Sequence, residues 1–84
     1  MARYYFHLHE CGDVTPDYEG SEHAGLAGVR QHAVVAAREV MRAELTEGRL
    51  CLSCSIEVVG SAGQHVMSVP FREAVIVTGL SARC

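Results

Sequence analysis

The segment 24–47 constrains this chain more than any other stretch, because its residue pattern is that of an amphipathic helix. At about 100° per residue, Leu26, Val29, Ala33, Ala36, Ala37, Val40 and Met41 fall on one arc. Gln31, Arg38, Glu39 and Arg42 lie opposite, with Val35. The small side chains of Ala33, Ala36 and Ala37 let such a helix sit close on a sheet. Gly48 is the expected stop just past the last turn. The start is weaker, since Gly25 and Gly28 disfavour the first turn and no strong cap directly precedes Leu26. A chain of 84 residues buries only about 60% of its unfolded surface. It therefore holds one domain, residues 1–84, built on a single layer contact.

The flanking segments supply the second layer. From Arg3 to His9 the residues alternate, with Tyr4, Phe6 and Leu8 on one side and Arg3, Tyr5, His7 and His9 on the other, which predicts a strand. A turn-rich stretch with Gly12, Pro16 and Gly20 follows, and a short second strand is expected around residues 18–22. Beyond the helix, Ser55 to Val59 and Gln64 to Val69 form a hairpin across Gly60 and Gly63, and Pro70 ends it. Phe71 to Val77 reads as a helical turn followed by an extended piece. The predicted fold is α+β in two layers, in the order β-β-α-β-β, with one helix packed on a small antiparallel sheet.

Charge and composition exclude several classes. The net charge is −3, all seven basic residues are arginine, and Glu10, Asp13, Asp17, Glu19 and Glu22 fall in a stretch free of basic residues. Nucleic-acid binding draws most of its affinity from basic patches, so a broad nucleic-acid surface is not expected. No apolar run approaches the roughly 20 residues that span a membrane, and the N-terminus lacks the pattern of a secretory signal, so a cytoplasmic setting is expected. Four cysteines at irregular spacings in such a chain do not predict a disulfide framework, and Cys84 at the end is expected to be a free thiol.

Two clusters carry potential chemistry. His7 and His9 share a strand face at a spacing of about 6.6–7 Å, across which two imidazoles can converge. Cys51 and Cys54 form a CxxC half-site, so a zinc site of His7, His9, Cys51 and Cys54 is one reading, with Cys11 as a substitute ligand. Against it, an extended 51–54 segment would point its two thiols to opposite faces. Without zinc, no cofactor is expected. A redox role for CLSC is disfavoured as well, because no helix N-terminus follows the pair to depress a thiol. Cys11 with His7 or His9 lacks a glycine-rich oxyanion element, and the domain is small to enclose a pocket, so no enzyme is expected. The acids Asp13, Asp17, Glu19 and Glu22 do not follow the calcium-loop pattern. Asp17 is expected to cap its own turn, and an Arg72–Asp17 ion pair would pin the C-terminal segment to it.

Three stretches, Arg3-Tyr4-Tyr5-Phe6-His7-Leu8, Pro16-Asp17-Tyr18-Glu19-Gly20 and Val69-Pro70-Phe71-Arg72-Glu73-Ala74-Val75, together resemble a family of short alphaproteobacterial proteins of unknown function. Its members read RYFFHL near the start, carry a D-x-EG turn and end in a VPFRDAV-like segment. The resemblance implies one domain and the αβ order above, and carries no activity. Cys11, Cys51, Cys54 and Cys84 depart from the family pattern, as does Gly25, where an acid commonly stands.

One helix covers one sheet face. The other is expected to show Tyr5, His7 and His9, joined by Val59 and Met67, as an interaction surface. The leading expectation is a small non-enzymatic interaction or regulatory module that forms a homodimer or binds another protein. The alternatives are an antitoxin-like regulator linked to nucleic acid through Arg30, Arg38 and Arg42, and a zinc-binding protein.

Overall fold

A computed structural model describes residues 1–79 of the protein, so Cys84 lies outside the described residues. The chain runs β1 (Ala2–Glu10), β2 (Asp13–Thr15), β3 (Ser21–His23), α1 (Leu26–Thr46), β4 (Ser55–Gly60), β5 (His65–Pro70) and α2 (Phe71–Ala74). This is an α+β fold in which an antiparallel five-stranded sheet packs on one main helix. Strand β1 pairs with β4, which pairs with β5, and the other edge of β1 is shared by β2 and β3. The expected second strand over 18–22 is thus two three-residue strands. Strand β2 pairs with Leu8–Glu10, β3 with Ala2–Tyr4, and exposed Tyr18 sits in the turn between them.

The alternation of β1 carries through the sheet. Phe6 lies opposite Val58 and Leu8 opposite Ile56, and these side chains meet Val29, Ala33, Val34, Ala37 and Met41 of α1 in the core. Burying such apolar area stabilises by about 25 cal/mol per Å2 and is the main force joining the layers. Val34 replaces Leu26 on the packing face: Leu26 is 58% exposed because the helix begins there, ahead of the sheet. Met67 is a second correction. A bulge at Val58/Val59 inserts an extra residue in β5, and Met67 pairs with Val58 and packs on the core side.

The helix ends follow their sequence signals. Gly25 is the N-cap and gives no side-chain bond, and the first turn has no acid. At the other end Gly48 adopts φ 81°, Gly48 N–H donates to Leu45 O, and Arg49 N–H donates to Glu44 O. This is the paired bonding of a Schellman stop. After β5, Pro70 turns the chain into α2, whose Phe71 and Ala74 are fully buried. The Phe71 N–H donates to Cys54 O, and Arg38 Nε donates to Ala74 O at 2.7 Å, which ties α2 to the sheet and to α1.

Candidate functional site

Polar chemistry gathers at three places around β1. The first is a clasp at its free edge. Strands β2 and β3 leave a gap beside Phe6, and Asp17 fills it: its Oδ2 accepts the Phe6 N–H at 3.1 Å. Its Oδ1 accepts the N–H groups of Glu19 and Gly20, closing the expected turn. The Asp17 N–H donates to His7 Nδ1 at 2.9 Å, which places the proton of the neutral ring on Nε2. Partial burial pushes the Asp17 carboxyl up, but the N–H donors of Phe6, Gly20 and Glu19 outweigh it and hold the group below its ordinary value. Arg3 closes the clasp by donating to Glu19 O at 2.6 Å and pairing with Glu22 at 3.1 Å. The expected Arg72–Asp17 pair does not form. Arg72 is exposed on α2, and Asp17 is engaged by backbone donors of its own turn and of β1.

The second place is the sheet face opposite α1. Tyr5, His7 and His9 lie there in register with Val59, Glu57 and Ser55. His9 Nε2 donates to Glu57 Oε1 at 2.7 Å, and His65 Nδ1 reaches Glu57 Oε2 at 3.4 Å. Partial burial raises the Glu57 carboxyl, but bonding to His65 and His9 prevails and holds it below the usual range. The sequence reading missed Glu57 and His65. The β1–β4 pairing sets Glu57 across from His7, and the hairpin brings His65 beside it; that pairing joins residues about fifty positions apart and has no local signal. It also missed His23 and His32, whose rings lie against Phe6 edge-on and tilted, at centroid distances of 5.6 and 4.4 Å.

The third place is the 51–54 turn between α1 and β4. The segment bends, so Cys51 and Cys54 lie on one side with their sulfurs 2.9 Å apart. Cys11, in the tight turn after β1, brings a third sulfur to 4.0 Å from Cys51. Cys54 is buried at 2% exposure, whereas Cys51 is half-buried. Bonding to the Cys54 thiol, to the Ser53 hydroxyl at 3.4 Å and to the Ser53 N–H lowers Cys51 to about 7. Burial, with the Cys51 sulfur beside it, pushes Cys54 up to about 12. An open depression of about 450 Å3 leads to the pair, lined by Glu10, Asp13, Glu44 and Arg49.

The four residues named for zinc are therefore divided. His7 is bonded to Asp17, His9 to Glu57, and the thiols to each other. Among the described residues, no group of three or more His, Cys, Asp or Glu side chains is disposed to hold a metal ion. The arginines considered for nucleic acid are divided too: Arg38 bonds α2, Arg42 pairs with Glu39 at 2.8 Å, and Arg30 stands exposed on α1. Among the described residues, no helix is long and apolar enough to cross a membrane.

No curated protein and no solved structure matches the chain. A family model described as a domain of unknown function, DUF6894, matches residues 3–72. That span runs from Arg3 of the clasp through the helix and the hairpin to Arg72, and so takes in every element that builds the three places above. On this match the chain belongs to the DUF6894 family.

Proposed function

We infer that the domain is a small non-enzymatic interaction or regulatory module that works as a homodimer through its open sheet face. One observation carries this reading. Helix α1 covers one face of the sheet, and the other presents Tyr5 and Val59, His7 and Glu57, and His9 and Ser55 as half-buried cross-strand pairs, uncovered among the described residues. An uncovered sheet face of this kind suits a second copy better than a small substrate, because ligand sites are enclosed clefts. The six-residue edge of β5, which has no strand partner beyond β4 among the described residues, adds backbone groups beside the same face. The opposite edge is unsuited to pairing, since it is split into two short strands and filled by Asp17.

An antitoxin-like role is less well supported, because Arg38 and Arg42 are engaged within the domain. Sedimentation equilibrium over a concentration series tests the dimer. The wild-type protein is expected to approach twice the monomer mass, and Val59→Arg, which sets a charge opposite Tyr5 on the face, is expected to remain monomeric. A wild-type monomer across the whole series overturns the reading.

A further inference from the structure

We propose that Cys51 and Cys54 form a reversible redox site that exchanges with small disulfides, with Cys51 as the attacking sulfur and Cys54 as the resolving one. The site stands on geometry independent of the sheet face. The two sulfurs are 2.9 Å apart across a bend, so they need to close by only about 0.9 Å to reach the disulfide length. Their surroundings differ in the way the two roles require. Cys51 is half-buried on an open depression of about 450 Å3, whereas Cys54 is 2% exposed and faces Cys51. An incoming disulfide therefore meets Cys51 before Cys54.

The Cys51 thiolate is bonded by the Cys54 thiol and by Ser53, which supply the stabilisation that a helix N-terminus gives in other reactive pairs. The lowered Cys51 thiol is substantially ionised at neutral pH, close to the optimum for attack. Cys11 is also near, but at 4.0 Å from Cys51 it is further than Cys54 and sits on an exposed turn. The depression is rimmed by Glu10, Asp13 and Glu44 against one arginine, Arg49, which is itself paired with Glu47. Its field favours a cationic disulfide over an anionic one.

The exchange balances in two steps. In the first, the Cys51 thiolate attacks one sulfur of the small disulfide, and the S–S bond breaks. One small thiolate leaves and takes a proton from water, while Cys51 is held as a mixed disulfide. In the second, Cys54 gives its proton to solvent and its sulfur attacks Cys51 Sγ. The mixed disulfide breaks and the second small thiolate leaves and is protonated. Two protein thiols are oxidised by two electrons, and one small disulfide is reduced to two thiols.

The test uses the reduced 84-residue chain, incubated without oxygen with cystamine, then alkylated and digested with trypsin. No basic residue lies between Arg49 and Arg72, so Cys51 and Cys54 share the peptide 50–72, while Cys11 falls in 4–30. Peptide 50–72 is expected to lose two hydrogens and resist alkylation, and cysteamine is expected to restore both thiols. Cys54→Ser is expected to stop at cysteamine linked to Cys51, and a Cys11→Ser, Cys84→Ser protein is expected to react as the wild type does. Peptide 50–72 cross-linked to 4–30, or left fully alkylatable after a large excess of cystamine, overturns the proposal. The wild-type digest decides the matter even if Cys54→Ser does not fold.

Discussion

The turn around Asp17 and the turn at Cys51–Cys54 are both short, and both lie beside β1, yet their polar atoms do opposite things. In the first, the carboxylate takes three backbone N–H groups and the backbone of Asp17 itself donates to His7. Every one of those bonds holds the chain in place. In the second, the polarisable atoms bond chiefly to each other, with the Cys51 sulfur facing an open depression. A group spent on holding distant backbone together is architecture; a thiol bonded to a neighbouring thiol and serine beside an open depression retains its chemistry. The stretches that carry the family resemblance belong to the first kind. Arg3, Phe6, His7, Asp17 and Gly20 build the clasp, and Val69, Phe71 and Ala74 fill the core.

The sharpest way to break that contrast is Asp17→Ala. It leaves the part-buried Phe6 N–H without an acceptor and opens the turn, so about 2–3 kcal/mol of stability is expected to be lost. In a domain of this size, that lowers the melting temperature by roughly 10 °C or more, read by circular dichroism. Gly20→Ala should act through the same clasp with less effect, about 1–2 kcal/mol. Gly20 adopts φ +68°, and an added Cβ would lie 2.7 Å from Tyr4 O, a backbone atom, and 2.9 Å from the Tyr5 ring. A melting temperature within 2 °C of wild type would sever the link between this glycine and the edge of β1.

Acid titration gives a smaller and more specific effect. The Asp17 carboxyl is lowered in the folded state, so its contribution is fully present above the ordinary aspartate range. It is lost as pH falls through the lowered folded value. The stability gap between wild type and Asp17→Ala, measured by urea unfolding, is therefore expected to narrow between about pH 5 and pH 2. A gap that widens there would place the bond to the neutral carboxyl above that to the carboxylate.

How far these features were legible in the sequence follows from what each depends on. The helix and the hairpin are local, because a period of 3.6 or 2 is written into residues a few positions apart, and α1, β4 and β5 fall close to the predicted segments. The pieces β2 and β3 are three residues each and exist only because β1 offers them an edge, so no local period marks them. The Asp17 turn was readable as a capped turn, since an Asx side chain bonds residues just ahead of it. Its longer bond to Phe6 was not. Arg72 was assigned to Asp17 on charge alone, whereas the adjacent Arg3 of β1 reaches Glu22 across the β1–β3 pairing.

The thiol pair was misread for a physical reason. An extended chain into β4 would have separated Cys51 from Cys54, but the Schellman stop at Gly48 leaves a short connection that bends before the strand begins. That bend, and the approach of Cys11 from the far end of β1, are tertiary facts.

The division between the two turns is tested most directly by the pH profile of iodoacetamide alkylation at the cysteines of the native protein, with sites assigned by fragment mass spectrometry. Cys51 is expected to reach half its maximal rate near pH 7, with Cys54 protected across the accessible range. Cys51 following an ordinary thiol, with its midpoint near about 8.5, or Cys54 reacting as fast as Cys51, would contradict the account.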